Sequence, residues 1–451
     1  MVRKRFFIMK LTLIILNSWH FNSEKVWYGM LKRGGYAPSA LRILASVIPR
    51  ELDVEISFLD ENIERINFDK IDADLVGISV MTPNAPRAYQ ISDDLRKRGI
   101  TVVLGGYHVT VRPDEAYKHA DSVVLGFAES SFPELLRDFV NGGLKERYSG
   151  NSGSTFVDHK PLFANPPDYN KRYIMPGTME ISRGCTHNCS FCVISSFCSG
   201  YVNKTVESVI EEIKFIGKRK IVFLDFSPFE DHEYAMELFD AIRPLKIRWY
   251  SCMTTKNAED GKFVSKAAES GCSGVLTGFE SINPTSLSAG NKSFNEPDRY
   301  LEIISNLKNH RIVVLGSFIF GFDEDDKNIF KDTLDFIRKS KIDLLHYAIV
   351  TPFPGTGYFK QLEAENRITT YDWSRYDGTH VVYKPLKMSA QELQAGYFEI
   401  YKKSHSAASI MRRVSQSRWN LLERLATNIG FRLYIHSFIR QYNREIAARG
   451  S

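Results

Sequence analysis

Cys185-Thr186-His187-Asn188-Cys189-Ser190-Phe191-Cys192 sets three thiols at spacings of four and three residues. Three thiolates can hold three corners of a cubane [4Fe-4S] cluster and leave the fourth iron open, whereas an electron-transfer cluster takes four. An open iron can bind a substrate or a second cofactor, so the trio points to catalysis. A tetrahedral zinc site would need a fourth ligand, from His187 or from Cys198. His187 lies inside the first interval, where it is badly placed to fold back on the same ion. Cys198 is the residue that would close the site. The other two cysteines, Cys252 and Cys272, read as small buried hydrophobes.

The elements that must position this loop are legible around it. Strands are predicted over 178–182, 220–224, 247–251, 273–277, 311–317 and 344–350, with helices over 204–216, 231–242, 258–270, 296–308 and 326–339. This is a partial or complete β/α barrel over 177–350, with the cysteines in the loop after its first strand. That loop lies on the face where such barrels keep their active sites. Residues 1–139 show an earlier βα alternation, with strands over 11–16, 54–59, 75–80, 101–104 and 122–125. They read as a Rossmann-like, doubly wound α/β sheet, which binds ligands beyond the carboxyl ends of its strands. The loops 79–84, 105–110 and 126–130 share that edge, and none carries a GxGxxG or Walker A pattern. Residues 140–176, rich in Gly, Ser, Asn and Pro, read as a linker. Residues 351–451 form a C-terminal loop and mainly helical domain. Ser389 and Glu392 make a capping box for one helix, and Gly430 bends or divides another over 407–447.

Composition limits the function classes. The chain has 451 residues, 43% of them hydrophobic and 25% charged, and only six cysteines, none of them in the first 184 residues. A secreted disulfide scaffold would use more, so a reducing cytoplasm is expected. The basic start runs into the short apolar stretch Leu11–Leu16, which reads as a buried strand and not a signal peptide. The net charge of +6 sits in the tail, where residues 401–451 hold ten Lys or Arg against two Asp or Glu. No nucleic-acid-binding module accompanies it. The tail suits either a helix packed back on the barrel or a basic amphipathic helix lying peripherally on the inner face of an anionic membrane.

The cysteine spacing in the first loop of a β/α domain resembles the radical S-adenosylmethionine (SAM) enzymes. The resemblance implies that the open iron chelates SAM, which is cleaved to methionine and a 5′-deoxyadenosyl radical. Gly105-Gly-Tyr-His-Val-Thr110 and Gly126-Phe-Ala-Glu129 resemble the cobalamin-binding domains that precede one class of these enzymes. No Asp-x-His-x-x-Gly loop is present, and His20 lacks both flanking residues, so cobalamin would bind without a protein base. Thr351-Pro-Phe-Pro-Gly-Thr356 and Tyr376-Asp-Gly-Thr-His-Val-Val382 resemble the C-terminal region of hopanoid-methylase-like members. Cobalamin-dependent methylation of an unactivated carbon or phosphorus is the leading implication. A non-methylating radical oxidation, cyclisation or rearrangement, with a vestigial or differently used N-terminal domain, is the alternative, and a non-catalytic iron–sulfur or binding protein a third.

Carried onto this sequence, the resemblance assigns Cys185, Cys189 and Cys192 to the cluster. It assigns Phe191, Asp225, Ser251, Thr277, Glu280, Gly316, Phe318 and Gly321 to SAM. Relatives often carry consecutive acids and an asparagine at the second strand's end, so Phe226-Ser227 is a departure there. Ser79, Thr82, Gly105, Gly106, Tyr107, His108, Val109, Gly126 and Glu129 fall to cobalamin. Asp377, His380 and Tyr383 fall to a substrate lid. The implied partners are a small-molecule or lipid-like substrate and an electron donor such as flavodoxin or ferredoxin.

Overall fold

Short runs of Val, Ile and Leu, separated by helices, build the first of two parallel sheets in this computed structural model. Residues 8–17, 34–150, 169–415 and 419–449 are described. The basic start, His20, residues 151–168 of the expected linker and Gly450-Ser451 lie outside the described residues.

In chain order the first seven strands are β1 (Met9–Ile15), β2 (Gly34–Tyr36), β3 (Val54–Asp60), β4 (Leu75–Ser79), β5 (Thr101–Gly105), β6 (Ser122–Leu125) and β7 (Arg147–Ser149). Six of them pair in the order β3-β1-β4-β5-β6-β7, all parallel. The order reverses between β1 and β4, which puts a crevice at the carboxyl edge there. β7 lies within the stretch read from sequence as a linker. Its Tyr148 is buried in the sheet's core, so the first domain runs on past residue 139. Three residues of unremarkable composition left no periodicity to read. β2 leaves this sheet and pairs in parallel with β8 (Tyr173–Met175), also inside the supposed linker.

The second sheet starts at β9 (Thr178–Met179). A two-stranded antiparallel ribbon, β10 (Ser182–Gly184) and β11 (Tyr201–Asn203), then closes the base of the cysteine loop. Next come β12 (Lys220–Phe223), β13 (Arg248–Cys252), β14 (Cys272–Glu280), β15 (Val313–Phe320) and β16 (Leu344–Ile349). The order is β16-β15-β14-β13-β12-β9, parallel throughout, an open six-stranded partial barrel. Helices cover its outer face: Trp249 stacks on Phe239, Phe279 packs on Tyr300, Phe318 meets Phe336 and Tyr347 meets Tyr401.

The C-terminal region includes helices Ala390–Ser404, Ala407–Val414 and Leu421–Arg449, and the last passes Gly430 unbroken. This last helix starts under the barrel. Glu423 pairs with Lys220 at 2.5 Å and Arg248 at 3.2 Å, and Arg424 pairs with Asp343 at 3.1 Å, all three at the amino ends of barrel strands. Farther along, Phe438 and Tyr442 pack on Phe398. The tail therefore packs back on the barrel. Among the described residues no helix is long and apolar enough to cross a membrane.

Candidate active site

The cysteine loop hangs from the β10–β11 ribbon and is pinned from both sides. Ser190 donates its backbone N–H to Gly290 O at 3.1 Å, and Tyr358 N–H donates to Ser190 O at 2.8 Å. Ser195 donates its hydroxyl to Cys192 O at 2.7 Å and to Cys189 O at 3.0 Å. Cys189 is buried, and Cys185 and Cys192 are half-buried. Burial pushes the Cys185 thiol up, and the Cys189 thiol up to about 12. The Cys192 thiol is close enough to both to add to the rise. His187 stacks on Phe294 at 4.0 Å and faces Glu230 at 3.6 Å. Cys198 ends the short helix after the loop, beside Arg183, where burial pushes its thiol up to about 11.

Across from the thiols sits a cation that sequence reasoning missed. Lys292 Nζ lies 2.6 Å from Glu280 Oε1, with both side chains largely buried. Burial favours the neutral amine, but the charges of Glu280, Cys189 and Cys192 outweigh it and hold the Lys292 pKa up. Glu280 ends β14 after a register shift, with φ at +62°, a left-handed conformation uncommon outside glycine. That turn accompanies a carboxylate aimed at the lysine. Lys292 lies twelve residues beyond Glu280 in a loop, so no periodicity flagged it. Glu230 was also missed. Its carboxylate accepts from Thr186 and Ser227, and Oε1 lies 3.9 Å from Cys185 Sγ.

Alternation along the strands divides the expected SAM residues. On β13, β15 and β16, half-exposed residues alternate with buried ones. The buried set faces the helices and the half-exposed set faces the lumen. Ser251, Thr277, Gly316 and Phe318 are buried and belong to the helix side. Ser251 donates to Phe223 O at 3.4 Å, and a Cβ at Gly316 would strike Ile342 and Phe279. These four are corrected from ligand contacts to outer packing. The lumen receives Cys252, Leu276, Leu315, Ser317, Ile319, His346 and Ala348. His346 Nδ1 lies 3.3 Å from Ser317 Oγ, and burial lowers its pKa so that the imidazole is neutral near pH 7. Cys252, expected as a buried hydrophobe, is half-exposed to this space, while Cys272 is buried.

Asp225 is wholly used by the chain. Its carboxylate accepts from Ile181 N–H at 3.0 Å, Ser182 Oγ at 2.8 Å and Ser182 N–H, knitting the end of β12 to the strand leading into the cysteines. Phe191 packs edge-on against Phe322 at 5.5 Å and close to Gly290. Gly321, with φ at +98°, is covered by Tyr383 and Leu393.

The carboxyl edge of the first sheet abuts the cysteine loop. Tyr107 Oη lies 3.1 Å from Ser196 Oγ and donates to Pro354 O at 2.6 Å. Gly106, φ +104°, lets this loop run against Val80, where any Cβ would collide with backbone. Thr110 Oγ1 accepts from Gly126 N–H at 3.0 Å, linking two of the edge loops. Ser79 ends β4 half-buried, and Val109 is buried below the edge. His108 is fully buried, with Nδ1 3.3 Å from Thr82 Oγ1 and Nε2 3.8 Å from Glu115. Glu129 is buried against Arg183.

Asp377, His380 and Tyr383, expected as a lid, are buried. Asp377 holds Thr379 and the His380 ring at 3.0 Å, and Tyr383 donates to Gly321 O. They pack the C-terminal region onto the barrel edge and offer nothing to an open mouth.

Residues 179–337 match the Radical SAM superfamily, and residues 30–136 match the B12 binding domain. Over 392 residues the chain is 31% identical to the bacteriochlorophyllide d C-12(1)-methyltransferase of Chlorobaculum tepidum, covering 84% of each chain. It is 32% identical over 429 residues to the C-8(2)-methyltransferase of the same organism, covering 90% of this chain and 93% of that one. The chain is a radical SAM enzyme with a B12-binding domain. Its fold is that of OxsB, a cobalamin-dependent SAM radical enzyme solved with aqua-cobalamin and SAM bound. That match has a TM-score of 0.66 and 14% identity, and spans 97% of this chain and 73% of that one.

The residues present in this radical SAM enzyme fit both groups. Three thiols on one pinned loop, with a buried ammonium beside two of them, suit an anionic three-thiolate cluster. Among the described residues, no three His, Cys, Asp or Glu side chains converge on one metal ion. At the first sheet's edge Ser79, Gly105, Gly106 and Gly126 are half-buried and bring backbone and small side chains to the surface beside the cysteine loop. His108 turns inward, so no described imidazole of this loop stands under a cobalt.

Proposed function

We propose that this enzyme methylates an unactivated carbon of a largely apolar small molecule held in the barrel lumen. When bound, the cluster with SAM supplies a 5′-deoxyadenosyl radical, and cobalamin supplies a transferable methyl group. Cys185, Cys189 and Cys192 hold the cluster. Lys292, oriented by Glu280, would offer its ammonium to the SAM carboxylate, and Glu280 would offer an acceptor to the nucleoside or the amino group. Leu276, Leu315, Ile319 and Ala348 give the substrate an apolar wall, and Ser317 with neutral His346 gives it one polar contact. The loops bearing Ser79, Gly105, Gly106 and Gly126 form the cobalamin face.

The observation that carries this reading is the order of parts in space. The cysteine loop lies between a half-exposed lumen and the carboxyl edge of a B12-type sheet, touching the latter through Tyr107 and Ser196. The cluster site and the cobalamin face thus adjoin at one loop, where a single substrate carbon can meet both. The relatives at 31% and 32% identity are bacteriochlorophyllide d C-12(1)- and C-8(2)-methyltransferases, which favours a carbon acceptor. A flavodoxin- or ferredoxin-type donor supplies the electron, and the unpaired cysteines suit a reducing cytoplasm.

The test is anaerobic reconstitution with iron and cobalamin quantified, followed by turnover with SAM, reductant and candidate ring substrates. A product heavier by one methylene unit, with one 5′-deoxyadenosine per methyl transferred, is expected. A product lighter by two hydrogens, or an isomer, would replace methylation with oxidation or rearrangement.

A further inference from the structure

Arg183 stands two residues ahead of the first cysteine, and it is among the least exposed charged side chains in the molecule. Its side chain is 4% exposed, and that of Glu129, which reaches it from the loop after β6, is 5% exposed. Glu180 accepts from the same guanidinium at 3.0 Å through both Nε and Nη2. The guanidinium carbon lies 4.2 Å from the centroid of the Phe127 ring. Phe127 in turn packs edge-on against Phe197 at 4.9 Å, on the helix that follows the last cysteine.

One loop of the first sheet therefore grips the cysteine loop twice. Glu129 holds the residue entering it, and Phe127 touches both that residue and the one leaving it. Gly184 follows Arg183 with φ at +86°, and any Cβ there would strike the Gly200 backbone, so the base of the loop has no slack. Burying an ion pair is a costly way to stabilise a fold, since well-packed apolar groups do as well or better. What such a pair supplies that apolar packing does not is a fixed, directional register between two bodies.

We propose that Arg183 is a positioning residue that sets the spacing between the two cofactor sites. By tying the loop after β6 to the entrance of the cysteine loop, it fixes how far the cluster lies from the cobalamin face. This rests on the reading that cobalamin lies on that edge. The step needs such control because reacting groups must sit in near-attack geometry, and a displacement of about 1 Å can cost on the order of a hundredfold in rate.

The test uses the full-length enzyme reconstituted with cluster and cobalamin. Both are reduced to paramagnetic states, and the dipolar coupling between the two spins is measured by electron paramagnetic resonance. A single narrow coupling is expected for the unaltered protein. Arg183→Gln and Glu129→Gln are each expected to load both cofactors and to spread the coupling into a broad distribution. Both should keep SAM cleavage and lose methyl transfer by on the order of a hundredfold. Arg183→Lys, which keeps the charge but cannot bridge two carboxylates while stacking on a ring, gives an intermediate distribution. The neutral pair Arg183→Gln with Glu129→Gln removes Glu129, the more deeply buried of the two carboxylates that Arg183→Gln strands. It is expected to recover thermal stability without recovering the narrow coupling. A double variant with full loading and the unaltered coupling would overturn the proposal and leave a structural role. Unaltered protein that loads the cluster and no cobalamin would overturn the cobalamin reading itself, and the spacing role with it.

Discussion

The two six-stranded parallel sheets bury their strands differently. In the first, β5 and β6 are buried along nearly their whole length, as expected when helices cover both faces. In the second, β13, β15 and β16 alternate buried with half-exposed residues, because only the outer face is packed. β5 and β6 can therefore present ligand contacts only at their ends, from loops. The second can present them from inside its strands. A residue's function in the barrel is then decided by parity, and in the first domain by distance from the strand's carboxyl end.

The largest expected effect separates the two regions completely. Replacing Cys185, Cys189 or Cys192 by Ala should abolish cluster assembly and bring 5′-deoxyadenosine formation to background. Cobalamin binding by the first sheet should persist, measured by its visible absorbance after desalting. Loss of both together would show that the first domain's site is not independently built. Next in size is Lys292→Met. It removes the ammonium shared by Glu280 and the cysteine loop, and should raise the KM for SAM about ten- to a hundredfold, a loss of about 1.5–3 kcal/mol. The cluster's absorbance should be retained, and KM unchanged would remove Lys292 from the SAM site.

What the sequence carried follows from the same contrast. Both βα repeats, the capping box at Ser389 and Glu392, and the cysteine loop's place after the first barrel strand were legible, since each is a local pattern. β7 and β8 were not, because strands of three residues have no period to detect. Ser251, Thr277, Gly316 and Phe318 were placed at the correct strands but on the wrong face. Their alternation was present in the sequence of β15, yet Gly316 and Phe318 share one parity and His346 with Ser317 show theirs only once the strands are paired. Lys292 and Glu230 come from loops, and tertiary contact alone brings them to the thiols. Glu129 looked like a ligand residue because its partner, Arg183, is far away in sequence.

Adjacent positions on β15 can break the parity argument directly. Phe318→Ala, on the packed face, should cost about 3–5 kcal/mol of unfolding free energy through the cavity it leaves. Ile319→Ala, half-exposed to the lumen, should cost about 1 kcal/mol by its smaller buried area. Yet Ile319→Ala should be the one that changes the KM for the methyl acceptor. Denaturant titration and steady-state kinetics on the same two proteins read both effects. Equal destabilisation, or a KM change confined to Phe318→Ala, would invert the assignment of faces.

A last effect, spread over a pH range, concerns how the barrel holds the cysteine loop. Burial, and then the nearby Glu180 charge, push the Asp225 carboxyl up to about 7, against the opposing pull of the N–H groups of Ile181 and Ser182. In an unfolded chain the same group ionises near pH 4, about 3.9. The folded protein therefore holds this proton more tightly, and each rise in pH between those values works against folding. The group's contribution is full below about pH 4 and is lost as pH climbs through about 7. Asp225→Asn should lower stability at acidic pH, where an amide cannot accept every bond the carboxyl accepts, and should flatten the decline toward neutral pH. Urea titrations of the cluster-free protein across this range measure the difference. Curves that stay parallel for the two proteins would mean that Asp225 is ionised throughout. The three donors, not burial, would then govern the strut beneath the cysteine loop. In the first sheet, by contrast, Thr110 and Gly126 link two of the edge loops without a titrating group.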